Sequence, residues 1–590
     1  MANSPRLPLL LAGLAGLSLF GLWLGCTGDG DVKTTDGTTT AEVLPPDSPQ
    51  DTLVIAELAN FDKLISPVTQ SVADARIIEA IGYSSTNAEF DCELKHTPGF
   101  YESWSFNEDH TVMSVALRQG VTWDDGTPVT AQDVAFTYDL IADPKVASPR
   151  LSYVEQMVEG KRPLVIDDYH LEFHFKNAYD EATMISHASF AIVQKSRLVG
   201  VDRESLRGND YGTTPATDGP WRIESWEQGT KVVLVPNENF KGPKEMQPKL
   251  KRVIVKVVPE YSTRIVELEK GSLDLVSNVQ VVDADRLAES HPEIKFYRRG
   301  WRSFDYVAYN SFDPADYTAK KAKDKEDLDW STVKSHPILG DKAVRRALSR
   351  AVNVDKLIAD LLTSKKTGES FARRAVSTVT PALCKWHNND IVPIPYDPSG
   401  ARAELAAAGW TDSNNDGVLD KDGRDLRFTL LTNSGNQRRN DAAIIMQANF
   451  KEIGVVMDIE RVESNTLFDR LRKKDFDAAL TGFGAALFPD MNSMWHSGER
   501  YEFNHGGYAN PEVDRLIEQA VKESNSDTAA SLTKQAQALI YEDQPFTFLY
   551  WLDEIVALHS RFRDARIDIL STWGDLYRWW VPTAEVKYDR

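Results

Sequence analysis

Cysteine is nearly absent, with 3 in 590 residues, and basic residues are outnumbered, 67 Lys and Arg against 88 Asp and Glu. The first shortage excludes a small scaffold held together by disulfides. The second leaves a net charge of −21 and excludes a nucleic-acid partner, because neutralising phosphates takes a concentrated basic surface. Long apolar runs are scarce too. Only Leu7 to Leu24 could occupy a bilayer, which rules out a polytopic membrane protein. There is no His-Glu-x-x-His, no Gly-x-Ser-x-Gly, no phosphate loop and no glycine-rich dinucleotide fingerprint, so no catalytic residue and no cofactor is assigned. What is present is 42% hydrophobic and 26% charged residues, the composition of a large, ordered chain with room for more than one domain.

The one apolar run sits at the N-terminus. Arg6 precedes it, and it ends at Leu24-Gly25-Cys26, giving the charged start, apolar middle and small-residue exit of a secretory signal. The junction resembles a bacterial lipoprotein signal, in which residues 1–25 are removed and lipid is attached to Cys26; an uncleaved single-span anchor is the alternative. Either way the protein is expected outside the cytoplasm, tethered to a membrane on the periplasmic side or at the cell surface. Residues 26–50, rich in Thr, Gly, Asp and Pro, read as a flexible spacer with a reach of roughly 25–30 Å. Cys92 and Cys384 remain, in a compartment where disulfides persist. They either pair or stay as two separately buried thiols.

From Asp51 onward, short β-rich runs (Leu53 to Ile55, Lys231 to Val235, Arg252 to Val258) alternate with amphipathic helices, so the fold class is mixed α/β. Asp341 to Leu362 places Val344, Leu348, Ala351, Val352 and Leu357 on one face and Arg345, Arg346 and Arg350 on another, predicting one long helix packed on one side. Pro511 to Lys522 and Ala401 to Ala408 predict two more. Ala319 to Asp329 alternates charge without an apolar face and reads as a solvated excursion. No internal repeat is found.

One stretch is unusually legible: Leu117-Arg-Gln-Gly-Val-Thr-Trp-Asp-Asp-Gly-Thr-Pro-Val-Thr-Ala-Gln-Asp-Val134. It predicts a strand, a turn at Asp125-Gly126, and a helix capped by Thr130 with Asp133 in the capping-box position. Further along come Asp218-Gly219-Pro220-Trp221, Asn237 to Phe240, Val344 to Asn353, Tyr396-Asp-Pro398, Gln447 to Gly454, Asp475 to Asp477, Tyr508 to Asp514 and Tyr541 to Pro545. In this order, over nearly all of the mature chain, these segments resemble the peptide/nickel type of extracellular solute-binding protein, the lipoproteins or periplasmic proteins that feed ABC importers. The resemblance implies a two-lobed periplasmic-binding-protein-like fold of the large peptide-binding type, with a cleft between lobes that closes on a ligand by hinge motion. Lobe one would take residues 51–299 and a C-terminal return, 546–590; lobe two would take 300–545. The crossings would fall near Gly300 to Asn310 and Gln544 to Tyr550. The expected partners are a peptide or other small organic ligand and the permease subunits of an importer, with the protein itself a monomer.

In peptide-binding members, a carboxylate in a segment resembling Gly-Trp-x-Ala-Asp pairs with the peptide's amine. The matching run here is Gly482-Phe483-Gly484-Ala485-Ala486, with Ala486 where the carboxylate belongs. A buried ammonium without a partner costs several kcal/mol, so either Asp490 takes over or the ligand is not a free-amine peptide. The candidate lining is completed by Trp495, Tyr508, Tyr550 and Trp551, with Asn60, Tyr306 and Asn310 near the crossings, since aromatic faces and amides suit a tolerant cleft.

Two motifs are set aside as structural, and no metal is expected. His170, Glu172 and His174 share one face of a strand and read as its wet side. Asp412-Ser-Asn-Asn-Asp-Gly417 opens like a calcium loop but has Gly423 at the twelfth position, and reads as a turn-rich hairpin before the strand Leu426 to Leu431. Two other functions stay open: a secreted hydrolase whose site is assembled only in space, and a binding protein that reports to a receptor rather than an importer.

Overall fold

The computed structural model describes residues 45–46, 48–323, 328–489, 491–499, 503–523 and 525–588. The expectations for residues 1–25, Cys26 and Asp490, and for nearly all of 26–50, lie outside these. Strand β1 (Thr52–Glu57) is buried along its whole length, as a strand must be when it has parallel neighbours on both sides and helices over its faces. Those neighbours are β10 (Arg252–Val257) and β11 (Leu275–Val276). Beyond β10 the sheet continues antiparallel through β9 (Lys231–Pro236) to β8 (Trp221–Glu227). This is one half of an 11-stranded sheet. The other half is β16 (Arg427–Asn433), parallel to both β17 (Val456–Val462) and β18 (Ala478–Gly484).

Two long antiparallel strands join the halves: β12 (Ile294–Tyr309) and β19 (Phe546–His559). Leu558 of β19 pairs with Leu275 in the first half, and Tyr306 of β12 pairs with Thr481 in the second. Their mutual register breaks midway. Ile294 to Arg299 lie opposite His559 to Glu554, whereas Ser303 to Ala308 lie opposite Leu552 to Phe546. Within the break, Trp301 adopts φ +55°, a left-handed conformation that a bulky residue takes only where surrounding structure enforces it.

A separate four-stranded antiparallel sheet follows β1 in the chain: β4 (Tyr101–Phe106), β5 (Val112–Leu117), β7 (His170–His174) and β6 (Leu164–Asp167), in that order. Its core forms around the motif the sequence advertised. The turn at Asp125-Gly126 has Gly126 at φ +82°, and the Asp125 carboxylate accepts from the Thr127 amide and hydroxyl. Thr130 and Asp133 form a capping box on the helix Ala131–Ala142. Between β1 and this sheet stands the hairpin of β2 (Thr86–Asp91) and β3 (Glu93–Pro98). Cys92 at its tip is bonded to Cys384.

The helix expected over Asp341 to Leu362 is instead two, Lys342–Ala351 and Val354–Leu361. Val352 is extended, and the Asn353 side chain caps the second helix by accepting from the Lys356 amide. An Asx residue offers a better start than an interior position does. Nor is the arginine face wholly solvated. Arg345 is buried and donates to the carbonyls of Leu339, Gly340, Asp543 and Gln544, satisfying groups orphaned where the helix Ser526–Asp543 ends.

Candidate ligand-binding site

In open α/β sheets, ligands bind beyond the carboxyl ends of parallel strands, at points where the topology changes direction. Here the carboxyl ends of β1, β11 and β16 converge on a cavity of about 110 Å³. Its first wall is Glu57 and Leu58, with Tyr261, Arg264 and the segment Ser277–Val281; its second is Gly435–Arg438 and Asp441, with Leu361, Leu362 and Phe371. Ser303 and Leu552–Ile555, on either side of the register break, form the floor. The walls thus come from opposite halves of the sheet.

Charge in this cavity is tied down by the fold. Glu57 accepts from Arg76 at 2.7 Å. Burial alone would lower the Arg76 pKa, but Glu57 and Glu554 carry it above its ordinary value. Arg438 opens the helix Gln437–Glu452 and pairs at 3.0 Å with Asp305, whose other oxygen takes Arg439 at 2.9 Å. Asp305 is fully buried. Burial pushes its pKa up, yet the two guanidinia outweigh that and hold the carboxyl below its usual range. Both groups lie over Gly482, where a Cβ would collide with Asp305 Oδ1 and Arg439 Nη2. The glycine in the Gly482-Phe483-Gly484 run is therefore required by an ion pair. Arg302 is pushed down to about 10, first by burial and then by the charge of Arg299.

Glu554 is 8% exposed and lines the cavity. Its Oε2 accepts from Arg299 at 2.9 Å, while its Oε1 has no hydrogen-bond partner among the described residues. A buried acceptor left alone is uncommon and costly.

The residues singled out in the sequence are distributed differently, and none of the ten described lines this cavity. Tyr306, Trp495, Tyr508 and Trp551 are buried in one aromatic cluster on the opposite face of the crossing strands, with Phe483 packed against it. Tyr306 stacks on Phe546 at 4.2 Å and Trp551 lies 4.7 Å from Phe304. Trp495 donates to Thr378, and Tyr508 to Asp543. Tyr550 belongs to the other core. Asn310 is fully buried, donating to the carbonyls of Lys474 and Phe476 and accepting from the Phe312 amide. Asn60 is exposed and accepts from the Gly229 amide. Gly484, also exposed, pairs with Ser303 at the cavity's edge, with Ala486 two residues on. Among the lining residues missed were Glu57, Asn278, Arg438 and Glu554. Their common signal is position just past, or at a break in, an apolar strand.

Of the two motifs set aside, His170 and His174 are engaged by Asp167 and Glu172, and Asp412 accepts from the Asp416 and Gly417 amides within a turn.

Comparison with known proteins decides the family. Residues 95–505 match the family model described as bacterial extracellular solute-binding proteins, family 5 middle. The chain belongs to this family. The oligopeptide-binding protein AppA of Bacillus subtilis (strain 168) is 28% identical to this solute-binding protein over 476 residues, 79% of this chain and 80% of AppA. The structure of Bacillus subtilis AppA in complex with a nonapeptide superposes with a TM-score of 0.78 at 26% identity, covering 90% of this chain and 100% of that one. NikZ from Campylobacter jejuni in complex with Ni(L-His) gives a TM-score of 0.74 at 23% identity, with 90% and 100% covered. The fold is that of the two-lobed periplasmic binding proteins, and the named relatives are binding proteins.

Proposed function

We propose that this protein captures a small organic solute, an oligopeptide or a peptide-like compound, in a cleft between its lobes that includes this cavity and delivers it to an ABC importer without breaking a bond in it. One observation carries this: a cavity at converging strand ends whose walls belong to opposite halves of the sheet, so that a ligand inside touches both. Such a ligand binds the closed arrangement better than the open one and shifts the population toward closure. A peptide is favoured by the AppA nonapeptide complex and by a cavity with paired charges of both signs, which suits a zwitterion.

In this reading lobe one is residues 51–299 with 546–590, lobe two is 300–545, and the hinge is the register break between Arg299 and Ser303 opposite Leu552 to Glu554. Phe483, Gly484 and Ala486, beside Ser303, extend the second wall, and Glu554 rather than Ala486 receives the ligand's donor. The aromatic residues Tyr306, Trp495, Tyr508, Tyr550 and Trp551 and the amide of Asn310 stiffen the crossing strands. The mature chain begins at Cys26, carries lipid there and acts as a tethered monomer.

The test is to denature natively purified protein, identify the released compound by mass spectrometry, and add it back to emptied protein. A rise in melting temperature of the size given by binding linkage, with a smaller radius of gyration, is expected. Turnover of the compound, or no stabilisation by it or by a panel of peptides, sugars and metal chelates, would refute the proposal.

A further inference from the structure

We propose that the β2–β3 hairpin is a strap between the lobes, on the face of the crossing strands opposite the cavity, and that the bond between Cys92 and Cys384 confines opening to rotation about a single axis. The inference rests on the two-lobe reading above. The hairpin is rooted in the first lobe: Phe100 and Tyr101, just past β3, donate their amides to the carbonyls of Ser84 and Ser85, and the Tyr101 hydroxyl donates to Ala188. Six residues per strand carry its tip about 20 Å from that root. At the far end the contacts change lobes. Phe90 packs on the aromatic cluster of the second lobe, and Cys92 is bonded to Cys384, 292 positions along the chain, with the Cα atoms 5.3 Å apart.

The segment holding Cys384 is itself anchored in the second lobe. The Asn388 side chain donates to the Lys534 carbonyl, its amide donates to Gln537, and the Gln537 side chain returns a bond to the Trp386 carbonyl. The lobes are therefore tied covalently at two separated places, the β12–β19 crossing and the disulfide, whereas side-chain bonds between them such as Lys366 with Glu289 and Arg472 with Gln70 can break on opening. Rigid bodies pinned at two points keep one rotation, about the line through both. A disulfide holds its Cα atoms within about 7 Å, so the lobes cannot separate at the strap by the wider motion a hinge alone allows.

The test uses full-length protein emptied of ligand, with emptiness checked by mass spectrometry. Thiol titration of the unfolded, unreduced chain should find no free thiol at Cys92 or Cys384; finding both free overturns the proposal at once. Small-angle scattering is then compared for the oxidised chain, the same chain reduced with a phosphine, and the double variant Cys92→Ser, Cys384→Ser. The expected result is an oxidised chain that opens only partly beyond the compact value, about 24 Å for a folded body of this size, and reduced and variant chains larger than it by several per cent. If the variant fails to fold, the reduced chain decides. Oxidised and reduced chains that open equally overturn the strap and leave the two-lobe clamp standing. Chains that stay closed in every form overturn both.

Discussion

Replacing Asp305 with Asn separates what the cleft needs from what merely surrounds it. The carboxylate has no exposed surface, and Arg438 and Arg439 grip one oxygen each. Removing its charge leaves two guanidinia side by side, 15% exposed, with no counter-ion in place. Breaking a buried pair from one side costs about 3–5 kcal/mol. For a folded body of more than 500 residues, unfolding entropy near the transition is about 1 kcal/mol per kelvin, so the melting temperature should fall by about 3–5 °C in scanning calorimetry. The pH dependence gives an independent check. Because the Asp305 pKa is depressed in the folded state, its contribution is complete above the ordinary unfolded value of about 3.9 and is lost as pH falls through the lower folded value. The deficit of Asp305→Asn should therefore be constant from neutral pH down to about pH 5 and shrink only below about pH 4. Since Arg438 also lines the cavity, ligand-induced stabilisation should weaken in the same variant. A melting temperature within about 1 °C of the parent, or a deficit that disappears near pH 7, would refute the assignment of Asp305 as the post that holds this wall.

Gly482→Ala should destabilise the protein by about 1–3 kcal/mol through overpacking against Asp305 and Arg439, and a melting temperature equal to the parent's would show that the pair can move aside. Asp218 is buried, with one oxygen accepting from the Tyr83 amide and the other without a partner among the described residues, and burial raises its pKa to about 7. The folded state therefore holds its proton more tightly, and stability should fall as pH rises from about 4 through 7. Asp218→Asn should flatten that decline and gain at most about 4 kcal/mol at pH 8; identical pH–stability curves would count against it. Glu554→Gln should reduce the affinity of an amine-bearing ligand at least tenfold, by the loss of about 1.5–3 kcal/mol for a hydrogen bond to a charged group, read by isothermal titration with the compound recovered from native protein. Unchanged affinity would place the ligand's donor elsewhere.

What could be read from the chain was whatever is settled within a few residues. The turn at Asp125-Gly126 and the capping box of Thr130 and Asp133 depend on neighbours in sequence, and both stand as expected. Asp218-Gly219 marks a tertiary approach: a Cβ at Gly219 would meet the backbone of Ile81 and Gly82, and only the pattern of such residues, not their contacts, showed in the sequence. Asn353 was read as part of one helix because periodicity continues through it, while the chain in fact extends at Val352 and the Asn353 side chain starts a second helix. The cavity was harder still. Glu57, Asn278, Arg438 and Glu554 lie far apart in the chain, and nothing local distinguishes them from other polar residues at strand ends. The aromatic residues near the crossings drew attention because a core aromatic and a cleft aromatic have the same composition signal.

The arrangement of charge explains how such a cleft can be polar and still close. The cavity-facing ion pairs are made within their own neighbourhoods: Glu57 with Arg76, Asp305 with Arg438 and Arg439, Glu554 with Arg299, and Asp553 with Arg298. The desolvation of these paired groups is therefore borne by folding rather than by binding. What the fold leaves unsatisfied in the lining, among the described residues, is one oxygen each of Glu554 and Asp553, Oε1 and Oδ1. The partners of these paired charges are on the protein, already in place before a solute arrives.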